Sequence, residues 1–154
     1  MSDEVLLKME GRWYLQYSGC PLWTRPDVST VSFYYKVQHK GEVLIVGDRV
    51  EYKKKGRMRF RLGYDTPVQG IAATFRWRGK GVNRTFRKHF EVTILKEEYM
   101  VLFFEKTLTS PTSIDVVTRK RNLSAGEVQE IFAMLREDPT VKDYVKDLLP
   151  VRQS

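Results

Sequence analysis

Gly11-Arg12-Trp13-Tyr14-Leu15-Gln16-Tyr17 is the stretch that decides how the rest of this chain is read. Alternation with period two puts Trp13, Leu15 and Tyr17 on one face of a strand and Arg12, Tyr14 and Gln16 on the other. Gly11 has no side chain, so another group can approach the backbone where the large indole begins. The stretch is therefore expected to open a β-domain as its first strand, with Trp13 closing the bottom of an apolar interior.

Strand after strand follows. Val28 to Val37 alternates Val31, Phe33, Tyr35 and Val37 with Ser32, Tyr34 and Lys36. Between it and the first strand, Gly19-Cys20-Pro21-Leu22-Trp23-Thr24-Arg25-Pro26 is an irregular loop with two prolines. Glu42 to Tyr52 comes next. After the turn Lys53-Lys54-Lys55-Gly56, Arg57 to Leu62 alternates basic and apolar residues, and Gly63, Pro67 and Gly70 then break the chain. Ile71 to Trp77, Thr85 to Leu95, Tyr99 to Lys106 and Ser113 to Lys120 complete eight strands, one turn among them being Arg78-Gly79-Lys80-Gly81. Eight short antiparallel strands that must hide their edges close into an up-and-down barrel.

The period then changes. Ser124-Ala125-Gly126-Glu127 is a capping box, and Val128, Ile131, Phe132 and Leu135 share one helical face. Asp138-Pro139 stops that helix; Thr140 can cap a second short one carrying Val141, Tyr144, Val145 and Leu148 before Pro150. The expected fold class is all-β with a C-terminal helix: one domain over 1–154, an eight-stranded antiparallel barrel at about 10–120, and a helical segment at about 124–149 packed outside it.

The 154 residues, 42% hydrophobic and 30% charged, have an ordinary globular composition and length enough for one core. No apolar run approaches the roughly 20 residues of a membrane span. The acidic start Met1-Ser2-Asp3-Glu4 lacks the form of a secretory signal, so a cytoplasmic or membrane-peripheral location is expected, and Asn83-Arg84-Thr85 and Asn122-Leu123-Ser124 read as chance matches to the glycosylation pattern. Cys20 is the single cysteine and forms no internal disulfide. A formal charge of +8 implies attraction to something anionic without saying what.

These residues resemble the lipocalins, in particular the compact group of bacterial outer-membrane lipocalins, apolipoprotein D and plant temperature-induced lipocalins. Gly11-Arg12-Trp13-Tyr14 looks like their opening Gly-x-Trp-Tyr signature, and Val117-Thr118-Arg119 with Leu123-Ser124 and the capped helix looks like their closing strand. The resemblance implies a barrel (a calycin) that binds a small hydrophobic molecule, and an arginine packed over the signature Trp. By its spacing to Leu123-Ser124 that arginine is Arg119, with Arg121 as the alternative; Gly11, Trp13 and Arg119 then close the barrel and bind no ligand. The family's Thr-Asp-Tyr motif is not recognisable around Met100 to Thr107, and its disulfides are absent.

If the parity of Trp13 marks the inside, Leu15 and Tyr17, with Phe33, Tyr35, Phe60, Phe75, Trp77, Phe90, Leu102 and Phe104, line a cup. The expected function is sequestration or transport of a fatty acid, lysophospholipid, isoprenoid or similar molecule, with the Gly19–Pro26 loop as a lid or, through an exposed Trp23, as a membrane contact. Arg57, Arg59 and Arg61 share one face, Arg76 and Arg78 another, and Lys80, Arg84, Arg87 and Lys88 follow. These are a solvated outer face or, through Arg59 and Arg76, a grip on an anionic head. Asp115 shares the parity of Val117 and Arg119, so it is a candidate inward carboxylate needing a partner such as one of these arginines. Basic strands interleaved with Phe60, Tyr64, Phe75, Trp77 and Phe86 make nucleic acid a disfavoured alternative partner. The chain has no Ser-His-Asp grouping and no metal-ligand spacing. The residues thus imply no cofactor or metal and do not argue for an enzyme, although lipid isomerases, de-epoxidases and haem binding through His89 are the alternatives in that class.

Overall fold

The computed structural model describes residues 3–68, 73–80, 87–108 and 110–154, with the side chains of residues 87 and 88 outside that description. A short helix α1 (Asp3–Met9) leads into β1 (Gly11–Ser18), followed by helix α2 (Pro21–Thr24) and the strands β2 (Val28–Lys40), β3 (Val43–Lys54) and β4 (Arg57–Pro67). β5 (Thr74–Gly79), β6 (Arg87–Leu95), β7 (Tyr99–Phe104) and β8 (Ser113–Thr118) come next, then helix α3 (Ala125–Glu137), a 3₁₀ helix (Lys142–Asp147) and a two-residue strand β9 (Leu149–Pro150). Each of β2 to β7 pairs antiparallel with the next; β8 pairs with β1, and β1 returns to β2. The ring is closed, and β1 is its keystone, as eight strands with edges to hide require.

β1 cannot serve both neighbours along its whole length. Gly11 to Tyr14 pair with Tyr35 to Ser32 of β2, and Tyr14 to Ser18 pair with Thr118 to Asp115 of β8, with a bulge between Leu15 and Tyr17. The bulge turns Gln16 into a clasp whose Nε2 donates to the Arg121 carbonyl at 2.6 Å and to Thr118 Oγ1 at 3.1 Å. A bulge also reverses parity beyond it. Tyr17 therefore faces out, 4.9 Å from the Phe132 ring on α3, and Ser18 faces in.

Two cores result. Inside the ring are Trp13, Leu15, Phe33, Tyr35, Phe75, Phe90 and Leu102; outside, Val101, Ile114 and Val116 meet Ile131 and Leu135 of α3. Strands β7 and β8 are buried on both faces because α3 covers their outer side. The capping box forms as expected, with Ser124 Oγ accepting from the Glu127 amide and Glu127 Oε1 accepting from the Ser124 amide.

Several expectations are corrected. Gly63 does not break the chain: β4 runs through it, because an added Cβ would sit 2.5 Å from Trp77 Nε1 and only hydrogen fits beneath that indole. The loop after β1 holds the turn of helix α2, and Trp23 on it is buried against Tyr52 at 5.2 Å and Phe33 at 6.5 Å rather than exposed to a membrane. After Pro139 the chain makes a 3₁₀ helix without a side-chain cap, while Asp138 Oδ1 accepts from the Thr140 and Val141 amides. The expected strand starts at Ile71 and Thr85, the turn at Gly81, and Gly70, Asn83, Arg84 and Phe86 lie outside the described residues.

Candidate functional site

The floor of the ring is sealed. Trp13 is fully buried and its Nε1 donates to the Met9 carbonyl at 2.7 Å, which ties α1 across the opening. The Arg119 guanidinium lies 3.6 Å from the Trp13 ring centroid and donates to the carbonyls of Arg12 (3.1 Å), Lys8 (3.0 Å) and Glu10 (2.8 Å). Burial lowers the pKa of Arg119 from its ordinary value and the Glu98 charge opposes that; an arginine starts so high that the cation persists. Gly11, at φ 110°, leaves the room: a Cβ there would come within 2.7 Å of Arg119 Nη1. Arg121, the alternative, lies outside over Tyr14 at 5.0 Å.

Above the floor is a cavity of about 120 Å³. Phe33, Tyr35, Trp77, Phe90 and Phe104 wall it. Phe75 and Leu102 are buried in the same core, Phe75 stacked on Phe90 at 5.2 Å, but sit behind that wall. Leu22 and Trp23 cover the mouth side.

Tyr17, Phe60 and Arg76 are not in the cup. Tyr17 is turned out by the bulge in β1. Phe60 is 57% exposed on the outer face of β4, under the Arg49 guanidinium at 4.5 Å. Arg76 projects outward from β5 and donates from Nε to His89 Nε2 at 3.2 Å, which also puts His89 outside the cavity. Arg59 has the inward parity but lies where β4 runs past the wall, exposed. The alternation of β4 is thus the reverse of the expected one: Arg61, Gly63 and Asp65 face in while Met58, Phe60 and Leu62 face out. Arg61 is the arginine that reaches the cavity, its guanidinium 5.8 Å from the Trp23 ring.

The cavity also holds acids that periodicity did not single out. Asp115 is buried and inward, as its parity suggested, but its partner is Ser18, whose Oγ donates to Oδ1 at 2.5 Å. Asp48 on β3 lines the cavity, and Asp65 is fully buried on β4 one diagonal step away, since Asp48 pairs with Gly63 and Val46 with Asp65. Burial pushes Asp48 up to about 6, partly offset by a hydrogen bond with Asp65. Asp65 is pushed well above the usual carboxylate range by burial, by the Asp48 charge and by that hydrogen bond. Ionised carboxylates only accept, so a bond between them requires that one keep its proton. Burial, followed by the Asp48, Asp65 and Asp115 charges, raises the Tyr35 phenol as well, which keeps it neutral. An aspartate beside glycine in an apolar strand, as in Val46-Gly47-Asp48, was the available sequence signal.

Compared by sequence, the chain matches no family model and none of the curated proteins. Compared by structure, it is similar to lobster apocrustacyanin A1 (TM-score 0.64, 13% identity, covering 96% of this chain and 79% of that one). It is similar to apocrustacyanin C2 (TM-score 0.64, 13% identity, 99% and 85%) and to the bovine lipocalin allergen Bos d 2 (TM-score 0.61, 12% identity, 94% and 93%). This is the lipocalin fold. In lipocalin terms the Trp13–Arg119 pair is the closed end and the α2 side is the mouth. At these identities the likeness fixes the architecture and leaves the contents of the cup to this chain's own side chains.

Proposed function

We propose that this protein takes up a small, mostly apolar molecule in its barrel and holds it out of water. The observation that carries the reading is an aromatic-walled cavity of about 120 Å³ above a floor closed by Trp13 and Arg119. An engineered cavity of about 150 Å³ takes up benzene, so the space suits a compact, ring-sized ligand better than a fatty acid or lysophospholipid. Burying roughly 150 Å² of such a ligand contributes about 4 kcal/mol at ~25 cal/mol per Å², which alone corresponds to about millimolar affinity. A tighter complex needs a polar anchor inside the cup.

Trp77 and Trp23 on the cavity wall supply the readout. Titration with 2-phenylethanol is expected to change tryptophan fluorescence saturably, and Val50→Phe, which fills the cavity from β3, is expected to abolish the change. A response that never saturates, or one that survives Val50→Phe, would remove the cavity as the site.

A further inference from the structure

Asp48 and Asp65 present an unmet demand at the wall of this cavity. Apart from the proton the two carboxyls share, Asp48 Oδ1 and both oxygens of Asp65 are buried with no hydrogen-bond donor among the described residues. A buried carboxylate without a donor costs several kcal/mol, and almost all buried polar atoms in native proteins are satisfied. The other buried acid of the cup, Asp115, has Ser18, and the half-buried Arg119 at the floor has three carbonyls. Asp48 is the member of the pair that borders the empty space, with Asp65 behind it.

We propose that the cup is a site for a small aromatic amine, its ammonium donating to Asp48, the cavity-lining member of the acid pair, while its ring lies against Tyr35, Trp77 and Phe90. This rests on the reading of the cavity as a ligand site and adds the ligand's charge. An ammonium brings donors to Asp48 Oδ1, which lacks one. Electron-rich faces of Trp77 and Tyr35 favour the same cation. An anionic head meets the opposite field here, because Asp48, Asp65 and Asp115 outnumber Arg61 on the inward face.

Binding also exchanges protons. Above about pH 6 the pair keeps one proton, held by Asp65, and the ionised Asp48 accepts from the ammonium; below that Asp48 takes up a second proton, which must leave to water before the amine is bound. The other charged and titratable groups lining the cavity with Asp48 are Cys20 after β1, Tyr35 on β2, Arg61 on β4, Asp115 on β8 and Glu105 after β7. β5 and β6 present Trp77 and Phe90, which do not titrate. Tyr35 stays neutral, and Arg61, turned to Trp23, forms no ion pair with either acid among the described residues. Affinity for an amine therefore follows the pair itself, rising as pH rises.

The test compares 2-phenylethylamine with 2-phenylethanol, nearly equal in shape, by calorimetry and tryptophan fluorescence on the wild-type protein. At about pH 8 the amine is expected to bind about ten- to a hundredfold more tightly, the range of a charge-assisted hydrogen bond. Going to about pH 5 is expected to cost the amine about tenfold and to leave the alcohol unchanged. Asp48→Asn is expected to erase the preference and Asp65→Asn, whose amide still donates to Asp48, to leave it, while both keep alcohol binding. An amine no tighter than the alcohol at pH 8, with the alcohol still bound, overturns the amine assignment and leaves the cavity reading standing. A preference that persists in Asp48→Asn also overturns it. Absence of binding by either probe overturns both readings together.

Discussion

The floor of the barrel and its middle hold charge in opposite ways. At the floor, Arg119 is covered on one side by the Trp13 indole and spends its donors on three backbone carbonyls of the α1–β1 junction. Halfway up, Asp48 and Asp65 have, beyond the proton they share, no donor for their buried oxygens among the described residues. A charge whose partners come from the backbone is finished at folding and can act only as structure. A charge pair with open valence at a cavity wall is complete only with something else in place, whether a shared proton or a ligand.

Removing the finished end should have the largest effect. Trp13→Ala takes away a fully buried indole, the stacking surface for Arg119 and the donor to Met9. It is expected to cost about 3–5 kcal/mol in urea denaturation. A loss under ~1 kcal/mol would mean that the floor is not what holds the ring shut.

The unfinished pair should show itself through pH, with a sign opposite to an ordinary surface carboxylate. A carboxyl held above its unfolded value binds its proton more tightly in the folded state. Its favourable contribution is complete below about 3.8 and is lost as pH rises through about 6. Stability of the unliganded protein is therefore expected to fall between those limits by on the order of 3 kcal/mol, at ~1.4 kcal/mol per unit. Asp48→Asn should flatten that slope and be the more stable protein at about pH 8. Thermal unfolding across pH measures it, and a wild-type profile that rises over this window would contradict the raised pKa.

Gly63→Ala probes the same middle without touching charge. Its Cβ would press on Trp77 and on the Arg78 carbonyl at 2.7 Å, in a strand that cannot give way there. Overpacking of this kind costs about 1–3 kcal/mol, and displacement of the indole should shift the emission maximum. The smallest effect belongs to Arg76→Ala on the outer face, where affinity for any cavity probe is expected to stay within about threefold, since a long-range surface charge is screened. A larger loss would bring Arg76 back as a ligand contact.

Much of the ring was legible because its signals are redundant. Eight alternating runs, an indole next to a glycine and a capped amphipathic helix all point to one architecture, so misplacing a boundary by a few residues changed nothing. The interior was less legible, because which face of a strand turns inward depends on register, and one extra residue reverses it. The bulge at Gln16 sent Tyr17 outward on a strand whose first half was read correctly. On β4 the rule that apolar residues face inward failed outright: Phe60 is outside under Arg49, while Arg61, Gly63 and Asp65 are within. That failure coincides with the acid pair. A strand that turns its charged face to the interior breaks the ordinary preference, and such breaks are expected where a binding site is built.

The seam between β1 and β2 is closed by the far end of the chain. Tyr17 and Ser18 pair with Pro150 and Leu149; the Thr30 amide donates to the Arg152 carbonyl at 2.7 Å, and Gln153 Nε2 donates to the Leu15 carbonyl at 2.9 Å, across 138 residues of sequence. Contacts of such separation form late, because the loop they close is nearly the whole chain. A nascent polypeptide can assemble the β2–β7 meander while still emerging from the ribosome. Gly11 to Tyr14 pair with β2 directly, whereas the half of β1 from Leu15 onward gains its cover only when residues 149–153 reach it.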